Sequence, residues 1–172
     1  MEDSYGGLFG AIPYAFRQSR SVLFKLYVVI GTLAAALIGL IVLFGLIVLM
    51  GETAEVPGGS LTLSRSLYVL LGLAFAGPLL APTLFVARRH RTARTVADRY
   101  DPALALTGFG FLVSVYVGLI ITVPPEQQEP VGGIFGPIVD VLYGLAQPIG
   151  LLPPVVGAIA IFVVHYLLTK RA

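Results

Sequence analysis

The chain has 172 residues, of which 57% are hydrophobic and only 12% charged, with a net charge of +2. Soluble domains carry about 45–50% apolar and about 25% charged residues, so the polar groups here are too few to cover a water-soluble fold of this size. Cysteine is absent, which excludes disulfides, thiolate metal sites, iron–sulfur clusters, covalently attached haem and lipid-modified cysteines together.

In chain order, the first feature is GGLFGAIPYAFRQSR, Gly6 to Arg20, which sets Leu8, Phe9, Ile12, Tyr14 and Phe16 ahead of Arg17 and Arg20. Such a segment is expected to lie on the inner membrane surface with its aromatics at headgroup depth, as a short lead-in. The first apolar stretch follows, about Val22 to Met50. Runs of about 18 or more apolar residues read as bilayer-spanning helices. This one is far longer than a signal-peptide core and no small-x-small cleavage pattern follows closely, so it is read as a retained anchor. Ser19 or Ser21 is placed to cap its start.

The second predicted crossing covers about Ser66 to Ala87, with Pro78 and Pro82 expected to bend it. The basic run RRHRTARTVADRYD, 88–101, comes next. Read as helix, it places Arg94 and Asp98 one turn apart, with Ala93, Val96, Ala97 and Tyr100 on a partly apolar face. The third crossing is predicted at about Pro102 to Val123, with Asp101 as cap and Pro102 at the first helical position. The segment Ile134 to Pro148 is apolar but, at about 1.5 Å per residue, too short to cross a roughly 30 Å core comfortably. Its polar residues fall in one stripe, which predicts a helix lying in the interface, or else a re-entrant segment. The fourth crossing is predicted at about Gly150 to Leu168, with Pro153 and Pro154 near its start.

Charge sets the orientation. With the N-terminus, the 88–101 loop and the C-terminus on one side, that side holds Arg17, Arg20, Lys25, Arg88, Arg89, Arg91, Arg94, Arg99, Lys170 and Arg171. Arg65 alone remains on the other, beside Glu52, Glu55, Glu126, Glu129 and Asp140. This is a strong positive-inside asymmetry. It predicts four crossings with both termini cytoplasmic in the cell membrane. Each Arg costs about 2.5–3.5 kcal/mol at the centre of an inserting helix, so the basic loop stays outside the core. The expected fold class is therefore an all-α integral membrane protein. It is a single domain over 1–172, a four-transmembrane-helix bundle with an additional short interfacial or re-entrant helix before the last crossing.

Small residues recur every fourth position along the crossings: Gly31, Ala35 and Gly39; Gly72 and Ala76; Gly110, Ser114 and Gly118; and, flanking Pro154, Gly150 and Ala158. Such ridges let helix backbones approach closely in lipid and are read as packing within the chain, with dimerisation through one face as an alternative.

Candidate functional residues are few. Arg88, Arg89, Arg91, Arg94 and Arg99 are read as contacts to anionic headgroups on the cytoplasmic side, or to a membrane-protein partner. One short loop with a single aromatic cannot build a nucleic-acid fold. Ionisable residues near membrane depth are functional candidates by default. Here these are Lys25, which can snorkel, Asp140 on the 134–148 helix, and His165, expected to reach headgroups or a backbone carbonyl. His90 is read as embedded among arginines outside the core, which argues against a haem held between His90 and His165. None of G-x-S-x-G, H-E-x-x-H or G-x-x-x-x-G-K-[ST] occurs, nor a G-x-G-x-x-G entering a helix after a strand. No cofactor, metal or catalytic site is predicted. The expected role is an accessory, scaffolding or interaction subunit of a membrane assembly, or a homo-oligomer. A small transporter or channel is the alternative, and a lipid-active enzyme using His90, His165 and Asp98 a further one.

Overall fold

The computed structural model describes residues 7–54, 59–93 and 96–170. Six α-helices follow one another among these residues: α1 (Gly7–Gln18), α2 (Val22–Glu52), α3 (Gly59–Thr92), α4 (Tyr100–Ile121), α5 (Gly136–Tyr143) and α6 (Leu152–Lys170). Short 3-10 turns at Pro125–Gln127 and Gln147–Leu151 flank α5. Four segments are long and apolar enough to cross a membrane: Val22–Glu52, Leu63–Thr92, Tyr100–Ile121 and Gln147–Lys170.

Helix α4 is the axis of the bundle, packing against α2, α3, α5 and α6. Its buried residues Tyr100, Asp101, Leu104, Ala105, Gly108, Phe111, Gly118 and Ile121 recur at helical spacing and form one stripe. In α2, burial is confined to Phe24, Tyr27, Val28, Gly31 and Ala35, all in the first half. The second half packs against α3. There Gly45 receives the Tyr68 ring and Gly72 receives Val42, each where a methyl group would collide. The core thus sits towards the end of the bundle where α1, the start of α2, the end of α3 and the start of α4 meet. A second cluster, around Leu79, Phe111 and Ile161, lies further along. The first of these ends is called the basic end below.

The N-terminal segment is more than a surface lead-in. Ala11 and Ala15, one turn apart, are fully buried, and this small-residue face lets α1 lie close along α3. Helix α2 then starts at the predicted position, with the Ser21 hydroxyl accepting from the Phe24 amide at 3.2 Å.

Three expectations need correction. The helix through 88–101 stops at Thr92. Val96 turns back to pack on the core with Val86, Ala87 and Tyr100, so the chain leaves the helical path before Asp98. The segment 134–148 is helical only over Gly136–Tyr143. Gly133, at φ +83°, makes the turn into it in a conformation that favours glycine. Gly144 ends it, and the following 3-10 turn carries Pro148 in its first turn. Helix α4 begins at Tyr100, two residues earlier than a cap at Asp101 would allow, and no side chain caps it.

The prolines of α3 sit where a neighbouring helix attends to the backbone. Pro82 has no N–H to offer the carbonyl four residues back, that of Pro78. At the adjacent Leu79 the buried Tyr27 hydroxyl donates to the carbonyl at 2.6 Å, a cross-helix bond beside the bend. Tyr27→Phe is expected to lower stability in detergent unfolding by about 1 kcal/mol, the usual net worth of such a bond, with the Tyr27 ring still seated edge-on to Phe109.

Candidate functional site

The most polar part of the interior lies at the basic end. Ser19, in the elbow between α1 and α2, is buried, and its hydroxyl donates to Oδ2 of Asp101 at 2.6 Å. The Ser19 hydroxyl oxygen in turn accepts from the Ser21 amide at 3.2 Å. From α3, Nε2 of His90 lies 3.0 Å from both carboxylate oxygens of Asp101. A carboxylate accepts only, so His90 presents Nε2–H to it. The side chains of His90 and Asp101 are 19% and 8% exposed. Three segments distant in sequence are thus tied through one carboxylate: the α1–α2 elbow, the end of α3 and the start of α4.

One residue away, Tyr100 engages the last helix. Its hydroxyl and Nδ1 of His165 share a 2.7 Å hydrogen bond, and the imidazole stacks on Phe85 with centroids 4.0 Å apart and planes at 12°. His165 therefore turns to α4 and α3, not to headgroups or a backbone carbonyl. His90 likewise turns inward to Asp101 instead of standing among the arginines. The two histidines are held by different partners.

Asp101 is the residue that the sequence reading placed wrongly. As a cap its carboxylate would accept from backbone amides of α4; it accepts instead from Ser19 and His90. Its position in the first turn still suits the helix dipole. Ser19, Tyr100 and the Asp101 role carry no local signature, because the Ser19–Asp101 contact spans 82 residues of chain.

Beside this tie opens a cavity of about 420 Å³, lined by Gln18, Arg20, Ser21, His90, Ala93, Val96, Ala97, Asp98 and Asp101. Chemically the tie differs from a nucleophilic triad. There the hydroxyl gives its proton to imidazole, which a carboxylate orients from behind. Here hydroxyl and imidazole both donate to the carboxylate, so the Ser19 oxygen is not aimed at a base. Among the described residues no three His, Asp or Glu side chains gather as metal ligands would.

The other sequence-stated candidates lie apart. Arg88 and Arg91 are exposed and Arg89 half-buried at the end of α3, where cations suit the helix C-terminus. Arg99 is exposed at the start of α4. Arg94, together with Glu55 and Arg171, lies outside the described residues. Asp140 is exposed on α5, which packs by the far end of α4 from Tyr100, near Ile121. Asp140 and His165 are thus at opposite ends of the bundle.

These features define an all-helical protein with four helices long and apolar enough to span a membrane, pinned at one end by a buried Ser–Asp–His tie. The chain belongs to the family described as a domain of unknown function, DUF8056, which matches residues 1–169. Comparison with curated proteins and with solved structures gave no match.

Proposed function

We propose that this is a multi-pass protein of the cell membrane, with both termini cytoplasmic, that works by interaction: an accessory or scaffolding subunit docked to other membrane helices, or to a copy of itself. The supporting observation is a division among the small-residue ridges. Gly31, Gly72, Gly118 and Gly150 face atoms of the chain's own helices at van der Waals distance or closer, whereas Gly39 and Gly110 have nothing within 4 Å of where a Cβ would stand. Flat, small-residue faces turned away from the bundle are where a further helix packs closely in lipid. Helix α2 adds to this. Its 31 residues span about 46 Å against a hydrocarbon core of roughly 30 Å, and Leu37, Ile41, Phe44 and Val48 are all more than half exposed.

Gly39→Leu separates this reading from its rivals. The substitution enters open space, so the unfolding midpoint of the isolated chain is expected to hold. A partner recovered in fixed stoichiometry after mild solubilisation of native membranes is expected to be lost. Recovery of the wild-type chain alone and as a monomer would count against the proposal.

A small transporter is the second reading, favoured by the buried carboxylate of Asp101 beside a half-open polar cavity. Solute flux into proteoliposomes that collapses on Asp101→Asn, with the fold retained, would promote it above the first.

A further inference from the structure

Three grooves differ in what they could hold. The polar cavity beside His90 is lined by both Arg20 and the carboxylates of Asp98 and Asp101, so it offers an anion no net attraction. A wide groove of about 830 Å³ between α4 and α6 carries no charged side chain at all, and nothing there would fix a headgroup. The third, about 600 Å³ between α1 and the first half of α2, combines the two properties. Its walls include Ile12, Phe16, Val29 and Leu33, and Arg17 is its one charged lining residue.

The charges of this third groove are segregated along its length. Arg17 closes α1 just before the elbow, and Lys25 opens α2 just after it. The Lys25 ammonium stands 5.5 Å from the centre of the ring of Phe16, a lining residue, so a second cation lies just outside the groove on its elbow side. From there the apolar wall continues along α2 from Val29 to Leu33, away from the charges. Val29 and Leu33 are 48% and 65% exposed, so the groove opens sideways and is reached from the surrounding medium. No carboxylate lines it among the described residues. A cationic mouth leading to an apolar trough matches a molecule with a phosphate at one end and a hydrocarbon chain at the other. The volume lies within the range of about 300–1,000 Å³ usual for small-ligand sites.

We propose that the α1–α2 groove is a binding site for an anionic phospholipid, its phosphate held between Arg17 and Lys25 and one acyl chain laid along Ile12, Phe16, Val29 and Leu33. The site rests on the membrane reading given above, which puts the basic end at headgroup level. It differs from the diffuse attraction of the 88–101 arginines in being a single place with a defined stoichiometry.

The test uses the full chain in mild detergent, titrated with phosphatidylglycerol, with phosphatidylcholine of the same acyl chains, and with glycerol 3-phosphate. Bound molecules are counted by native mass spectrometry. One phosphatidylglycerol per chain is expected, held at least tenfold more tightly than phosphatidylcholine, with no retained glycerol 3-phosphate. Arg17→Gln is expected to reduce that preference about fivefold, the loss of one cation at a headgroup. Val29→Trp, which fills the trough without altering charge, is expected to displace both lipids. Lys170→Gln, an exposed cation in the last turn of α6 and outside the groove, is expected to leave occupancy unchanged.

Equal retention of the two lipids, or retention unmoved by both Arg17→Gln and Val29→Trp, would overturn the site. So would glycerol 3-phosphate binding as tightly as the lipid, which would assign the cations to a soluble anion. A dimer whose formation excludes lipid would assign the groove to a second copy. Arg17 and Val29 are both exposed, and unchanged helix content by circular dichroism confirms that each variant folds. Alkaline washing of native membranes keeps the two claims apart: release of the chain defeats the membrane reading, while a resistant chain without lipid preference defeats only the groove.

Discussion

Asp101→Ala is expected to cost about 3 kcal/mol in unfolding measured in mild detergent, a large effect for one polar side chain. The carboxylate accepts from the Ser19 hydroxyl at 2.6 Å and from His90 Nε2 at 3.0 Å, and hydrogen bonds to a charged group are worth about 1.5–3 kcal/mol. Removing it also leaves the buried Ser19 hydroxyl without its acceptor. The loss sits at the lower end of the roughly 3–5 kcal/mol range for breaking a buried ion pair, because His90 keeps about a fifth of its side chain in solvent. Asp101→Asn should cost roughly half as much: its amide oxygen can still accept from Ser19, and its NH₂ can donate to His90 once the imidazole changes tautomer. A double-mutant cycle with His90→Ala gives the direct test. Coupling of about 1 kcal/mol or more supports a tie between α3 and α4, whereas additive single effects would show that each side chain acts alone.

What the sequence displayed and what it concealed divide along a physical line. The four long apolar runs are local properties, and each appears as a helix, although α3 runs from Gly59 to Thr92, beyond both ends of the expected Ser66–Ala87. The start of α2 was legible to a choice between Ser19 and Ser21 because a cap is also local: Ser21, which makes it, and the amide of Phe24 are three positions apart. The same kind of reasoning misassigned Asp101, since an acidic residue before a proline at a helix start looks alike whether it caps its own helix or turns to a distant serine. Choosing between these needs the packing of α1 on α3, and that packing rests on Ala11 and Ala15, two residues too ordinary to attract notice. The expected helix 134–148 is longer than the observed Gly136–Tyr143 because its polar stripe continues in sequence through Gly144, where the helix ends. As for the ridges, spacing identified Gly31, Gly72 and Gly118 as packing positions but equally flagged Gly39 and Gly110, whose surroundings are open. A four-residue period marks which residues share a face; it carries no information on whether that face has a neighbour in the same chain.

Gly118→Ala is expected to be nearly as damaging as the loss of Asp101, at about 2–3 kcal/mol, although it adds a single methyl group. A Cβ at Gly118 would overlap the carbonyl oxygen of Gly150 and crowd Cδ of Pro154, at 3.2 Å. Seen from the other side, a Cβ on Gly150 would come 2.7 Å from the Gly118 carbonyl oxygen and 2.6 Å from Cγ2 of Thr122. These obstacles are backbone, a proline ring and a β-branched side chain, none of which can swing aside as a flexible side chain would. Relief therefore requires α6 and its leading 3-10 turn to move away from α4. Overpacking of a rigid contact costs about 1–3 kcal/mol, and two facing backbones place this one at the upper end. The control is Gly110→Ala on the same helix, where nothing stands within 4 Å. There the isolated chain should be unchanged or slightly more stable, since Ala is the better helix former by up to about 1 kcal/mol. Unfolding titrations of the two variants side by side decide the matter. Equal stability would mean that the close approach of α4 to α6 at Gly118 and Gly150 does not hold the last helix in place.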